Sequence, residues 1–319
     1  MGKLLENLRW KCMWTSHLGC VKGCLEHLGV EMSDARLFGL TGHAFILNVH
    51  ETVCPSGPTA WNTETLSRLG KNAGYAEEVI TAVKADRDFE RKQELAWDTV
   101  KAALDAGVPC YGWELFIPEF YVIYGYDDRG YFFSGPKCDD GKGPKPWREV
   151  GDTQIGCLEM YTVRRCDPAE LKTAVKETLE FAVEHARNPK KWIYPGYRAG
   201  LEGYDNWIRA LGNATADGWG TAYNAAVWGE CRSFAHAFLR EAAEKFSGQV
   251  VAHFYKAAGH YKAVAENLKR VADAFPFFTM KPEYMEDEKR RRAAVDALQA
   301  ARKAEAAGLG LLERLAKEL

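Results

Sequence analysis

Trp10-Lys11-Cys12-Met13-Trp14-Thr15-Ser16-His17-Leu18-Gly19-Cys20-Val21-Lys22-Gly23-Cys24-Leu25-Glu26-His27-Leu28-Gly29 is the stretch on which the reading of this chain turns. From Thr15 onward it reads as a helix, with Thr15 or Ser16 able to cap its start and Gly29 able to end it. Gly19 and Gly23 fall on one face four residues apart, so another segment can approach this helix closely. Ser16, Cys20 and Cys24 form a second stripe, and His17 lies within a turn of Cys20. A hydroxyl, an imidazole and two thiols thus gather along one side of one helix. The first turn is also where free N–H groups favour an anion or a thiolate. The plainer reading is a buried helix in which the cysteines are small core fillers.

The rest of the chain narrows the setting. Its 319 residues are enough for two ordinary domains, and 47% hydrophobic with 27% charged residues is the composition of a globular protein. A net charge of −2 gives no reason to expect a nucleic-acid partner. No apolar run approaches the ~18 residues of a membrane span, and the first ten residues lack the apolar core of a secretory signal. Nine cysteines, dispersed and without a Cys-x-x-Cys pair, argue against a disulfide framework or a zinc ribbon and for a reducing cytoplasm. No cofactor and no metal site is expected.

Beyond the first helix, Asp34 to Phe38 is a short helical turn and His43 to His50 reads as a buried strand. Glu78 to Val83 is a strand and Phe89 to Ala106 a helix with Leu95, Val100 and Leu104 on its apolar face. Val108 to Trp113, Phe120 to Tyr126, Tyr131 to Phe133 and Gly156 to Val163 are strands, with Asp127-Asp128-Arg129-Gly130 turning one hairpin. Gly135 to Pro146 reads as a loop. After Cys166 the pattern becomes helical, over Pro168–Arg187, Tyr197–Leu211, Thr221–Phe246, Val250–Phe275 and Pro282–Leu319. The expectation is a sheet-containing α+β domain over 1–166 followed by an all-α domain over 167–319.

A helix near the N-terminus followed by an antiparallel sheet resembles the papain-like plan, in which the helix start carries a thiol nucleophile and a later strand carries its base. Within that superfamily the chain is similar to the N-terminal domain of the butirosin-biosynthesis acyltransferase family, related to bacteriocin-processing cysteine peptidases. There a Cys-Gly pair opens a helix that closes on a glycine thirteen residues on. Gly29 is that glycine, which puts Ser16-His17 at the Cys-Gly position. The family's later motif, a histidine, an apolar run, Gly-Tyr-Asp, a turn and a strand ending in Asp-Pro, is matched by Glu119 to Pro136. The segment Tyr197 to Trp207 resembles the family's helical domain, so the likeness extends over nearly the whole chain. It implies a papain-like domain followed by a helical one.

The departures sit where the chemistry would be. Ser16 stands at the nucleophile position, Glu119 at the base position, and Ser134 or Gly135 at the third. A register one turn later makes Cys20 the nucleophile with His17 beside it. As a class, carboxylates with pKa near ~4.3 are poor bases for a hydroxyl. Catalytic candidates are therefore Ser16, His17, Cys20 and Glu119. Glu114, flanking the same Leu115–Pro118 connection as Glu119, could pair with it to share a proton, hold a metal or bind an amine. His43, Trp14 and Tyr121 complete the candidate pocket, Trp14 and Tyr121 as part of an aromatic cluster that equally suits a core.

Two functions follow as expectations. One is acyl or amide chemistry on a small molecule in a biosynthetic pathway, by an acyltransferase or amidase-like enzyme. The other is a non-catalytic protein of the same fold that binds a small molecule. The ligand is left open between an amine and an acyl thioester. A third reading, assembly as a homo-oligomer, rests on the alanine stripe Ala293, Ala297, Ala300, Ala304 and Ala307.

Overall fold

The computed structural model describes residues 2–319. In chain order its regular elements are β1 (Lys3–Leu4), α1 (Ser16–His27), α2 (Asp34–Leu40), β2 (Asn48–His50), α3 (Glu64–Gly70), β3 (Tyr75–Val83) and α4 (Phe89–Asp105). Then come β4 (Cys110–Trp113), β5 (Phe120–Tyr126), β6 (Gly130–Gly135), β7 (Cys138–Pro146), β8 (Cys157–Arg165) and α5 (Leu171–Arg187). The chain ends with β9 (Tyr197–Ala199), α6 (Gly200–Gly212), α7 (Gly218–Ala243), α8 (Val250–Ala274), α9 (Glu283–Glu286) and α10 (Glu288–Glu318). The class is mixed α+β, with a mostly antiparallel sheet and a helical C-terminal region.

The chain forms two compact units. One comprises the residues up to Met32 together with Gly74–Pro168, the other Ser33–Ala73 together with Ala169–Leu319. The change of pattern near Cys166 thus falls beside one crossing between units. The sequence gives no such signal at the two earlier crossings, and Ser33–Ala73 belongs with the helices rather than with the sheet.

In the first unit an antiparallel sheet runs in the order β3-β8-β4-β5-β6-β7, with β1 paired to β5. Strand alternation gives it two faces. Tyr111, Phe120, Val122 and Ser134 share one, because Tyr111 pairs with Val122 and Val122 with Ser134. This is the side of α1: His17 stacks on Phe120 with ring centroids 4.7 Å apart. Helix α4 covers the other side, where its Trp97 meets Tyr131 at 5.0 Å. Its buried residues include Gln93, Ala96, Trp97 and Val100. Leu95, expected on the apolar face, is exposed, since the buried arc is centred on Trp97. Gly135 to Pro146 is not all loop: residues 138–146 form the edge strand β7, paired to β6 with irregular register. Its Gly, Pro and Lys content suits an edge and hides the strand from a hydrophobicity pattern.

Gly19 and Gly23 behave as their spacing suggested. A side chain on Gly19 would run into the Trp10 ring and the Lys11 carbonyl, and one on Gly23 into the Arg9 carbonyl. The segment before α1 therefore lies along the helix backbone, tied by a 3.1 Å bond from Lys11 N–H to the Gly19 carbonyl.

In the second unit α7, α8 and α10 form the main helical bundle, with α5 and α6 against α10. The expected strand from His43 is a 3-10 turn over His43–Phe45, and only Asn48–His50 is extended, paired with β9. Arg232 of α7 is fully buried. It donates to Glu305 of α10 at 2.8 Å and to the carbonyls of Ala44 and Ile46 at 3.0 and 2.6 Å. Burial works against its charge, but Glu305 and Tyr204 beside it hold its pKa above the ordinary arginine value. Tyr204 also donates to Glu305 at 3.1 Å. A buried ion pair bonded on this many sides couples three segments, because removing one partner strands the other charge. The alanine stripe read from the sequence is displaced: Ala293, Ala300 and Ala307 are exposed, and α10 buries Ala294, Ala297, Ala301 and Gly308.

Candidate functional site

The first residue of α1 and the connection between β4 and β5 come together in the first unit. Ser16 donates its hydroxyl proton to Glu119 Oε2. The same hydroxyl accepts from the Phe120 N–H at 3.1 Å. Ser16 is 3% exposed and does not cap the helix; the N-cap residue is Thr15, which makes no side-chain cap bond. The short loop that presents Glu119 is closed by the Glu114 N–H donating to the Glu119 carbonyl at 2.8 Å, with Glu114 in the left-handed region at φ 56°.

His17 is buried, with its ring against Phe120 and Tyr111. Its Nε2 lies 2.8 Å from the Tyr111 hydroxyl, and that hydroxyl donates to Glu77 Oε1 at 2.6 Å. Tyr111 stacks face to face on Tyr161, centroids 4.4 Å apart, and Tyr161 donates to Glu159 Oε2 at 2.8 Å. Burial raises the pKa of Glu159, opposed by the Tyr161 bond. A chain of imidazole, phenols and carboxylates thus runs across β4, β8 and β3 beneath α1.

Cys20 is fully buried, and burial first, then Cys24 and Glu119, push its thiol well above the ordinary cysteine value. It is a protonated core thiol, not a thiolate nucleophile. Cys20 and Cys24 are both free thiols.

The remaining candidates divide. Each carboxylate has its own hydroxyl donor: Thr153 Oγ1 donates to Glu114 Oε2 at 2.7 Å, and Ser16 to Glu119. Trp14 is half-buried in the segment leading into α1. Tyr121 alternates to the face opposite Phe120, where it packs edge-on against Phe133 at 5.3 Å. It belongs to the core. His43 lies in the second unit, with Nδ1 3.7 Å from Cys231 Sγ, and burial lowers its pKa to about 4. Among the described residues no group of three or more His, Cys, Asp or Glu side chains is placed to hold a metal ion. No helix among them is long and apolar enough to cross a membrane.

Sequence reasoning missed Glu77 and Glu159. The signal available was strand parity: Cys157, Glu159, Tyr161 and Val163 share one face, and an acid alternating with a buried tyrosine is unusual there.

No known protein family matches this chain, and no curated protein is similar to it.

Proposed function

We infer that the first unit is a papain-like domain whose nucleophile and base positions serve to bind a small cationic amine without catalysis. The observation that carries this reading is the Ser16–Glu119 hydrogen bond. A serine nucleophile needs a base ready to take its proton and an oxygen lone pair aimed at the substrate. Here the proton goes to a carboxylate and the oxygen also accepts the Phe120 N–H. The neighbouring imidazole is directed to Tyr111, and the neighbouring thiol is protonated and buried.

What this arrangement offers is a fixed anion. A carboxylate has about four lone-pair sites, and the Ser16 hydroxyl takes one of them at Glu119. The Glu119 loop also carries exposed Phe116, and Lys142 places its ammonium 3.2 Å from the centre of that ring. That ring therefore already holds a cation of the chain itself, and selectivity for an amine over a neutral molecule rests on the Glu119 carboxylate.

The test is a thermal-shift screen of primary alkylamines against alcohols of matching length, alongside incubation with a short-chain acyl thioester followed by intact-mass measurement. Amines should raise the melting temperature, alcohols should not, and no acyl group should remain on the protein. An acyl adduct that maps to Ser16 and disappears in Ser16→Ala would restore the acyl-transfer reading.

A further inference from the structure

The second unit contains a polar pocket of about 280 Å³ where the β2–β9 ribbon meets α6. One wall is the ribbon, with Glu51 just past β2, Gly196 and Arg198. The other is a single face of α6, formed by Glu202, Asp205, Asn206 and Arg209 at the i, i+3, i+4, i+7 spacing that aligns side chains along a helix.

The charges in this pocket are unevenly satisfied. Arg198 faces Glu202 at 3.6 Å. Asp205 is held by Arg302 through two contacts, at 2.7 and 2.9 Å. Asn206 is buried, anchored by its Nδ2 donating to the Val49 carbonyl at 3.1 Å, and its Oδ1 accepts from Arg209 at 3.1 Å. That bond orients the Arg209 guanidinium and uses one of its five donors. Among the described residues neither Arg209 nor Glu51 has an ion-pair partner, and they are not paired with each other. One cation on the helix wall and one anion on the ribbon wall therefore face a shared space.

We propose that this pocket binds a small zwitterion of the α-amino-acid class, its carboxylate on Arg209 and its ammonium on Glu51. The planar guanidinium can meet a carboxylate through two parallel N–H bonds, and Asn206 holds it in place to do so. Glu51 supplies the counter-charge for an ammonium. A molecule with only one of the two groups satisfies one wall and leaves the other hydrated. The volume suits a metabolite of amino-acid size rather than a peptide or a nucleotide. This inference is independent of the amine site in the first unit.

The test uses the full-length chain and ligand-observed NMR titrations with L-glutamine and L-serine, and with the amide of each, which lacks the carboxylate, and the N-acetyl form, which lacks the ammonium. At least one free amino acid should bind, with its amide and N-acetyl forms weaker by about tenfold or more. Arg209→Gln should abolish the preference for the free acid over the amide, and Glu51→Gln the preference for the free amine over the N-acetyl form. Both residues are exposed, so neither variant disturbs the core. Absence of binding by both amino acids to the wild type, or binding that both variants leave unchanged, would overturn the proposal.

Discussion

With Glu77 ionised, His17 Nε2 is the hydrogen-bond donor to Tyr111. The two atoms are 2.8 Å apart, and the single phenolic hydrogen of Tyr111 is already given to Glu77 at 2.6 Å. The imidazole must then supply the proton of the His17–Tyr111 bond. The histidine next to Ser16 is thereby fixed with its Nε2–H on Tyr111. Long-range nitrogen–proton NMR of the histidine rings should show a protonated, pyrrole-type Nε2 at His17, lost in favour of mixed tautomers in Tyr111→Phe. A pyridine-type Nε2 in the wild type would contradict the assignment.

Ser16 joins α1 to the β4–β5 connection through one hydroxyl. Ser16→Ala leaves both Glu119 and the Phe120 N–H short of a partner in a buried setting. The expected loss is about 1–3 kcal/mol in denaturant unfolding, the cost of stranded polar groups rather than of one average hydrogen bond. A change below a few tenths of a kcal/mol would mean that the hydroxyl bridges nothing of consequence.

Glu159 should make the fold less stable as pH rises. Burial holds its pKa above the usual carboxylate range, so the folded state keeps this proton where the unfolded state has lost it. The folded state is favoured below the unfolded value, and the advantage is lost as pH rises through the folded one. Glu159→Gln keeps an acceptor for Tyr161 and removes the charge. The variant should be more stable than the wild type at neutral pH, and the gap should close in acid. A variant less stable at neutral pH would contradict this.

The buried histidines of the second unit act in the opposite sense. Burial lowers His43 to about 4 and His185 to about 3, with Arg232 nearby adding to both. An unfolded histidine titrates near ~6.5, so each costs nothing above that pH, and stability falls as pH drops from there toward the folded value. For His43 the full cost reaches ~3 kcal/mol once pH is below about 4. Melting temperatures between these limits should fall less steeply in His43→Gln than in the wild type. Parallel curves would show that His43 does not titrate on unfolding.

How much of this was legible beforehand follows from which forces write themselves into local sequence. The bounds of β5 and the start of α1 were readable because alternation, glycine spacing and turn residues are local. The assignment of Ser33–Ala73 to the helical unit was not, because it depends on Arg232 reaching the carbonyls of Ala44 and Ile46 from almost two hundred residues away. At the site, Ser16 and Glu119 were both singled out from the sequence, and the two are hydrogen-bonded. It could not show that His17 turns toward Tyr111 or that Cys20 is sealed in the core, since both depend on side-chain direction about a helix axis. Whether Tyr121 faces α1 or the opposite side was not legible either, because its aromatic neighbours in sequence alternate across the sheet.

The central claim is that Glu119 serves as a counter-ion for an amine. It is tested most directly by calorimetric titration of an alkylamine identified in the screen into the wild type and into Glu119→Gln. The variant keeps the shape of the side chain and an acceptor for Ser16 while removing the charge. The account predicts measurable binding by the wild type and loss of at least tenfold in affinity in the variant, about 1.4 kcal/mol or more, with cooperative unfolding preserved. Equal affinity in the two proteins would contradict it.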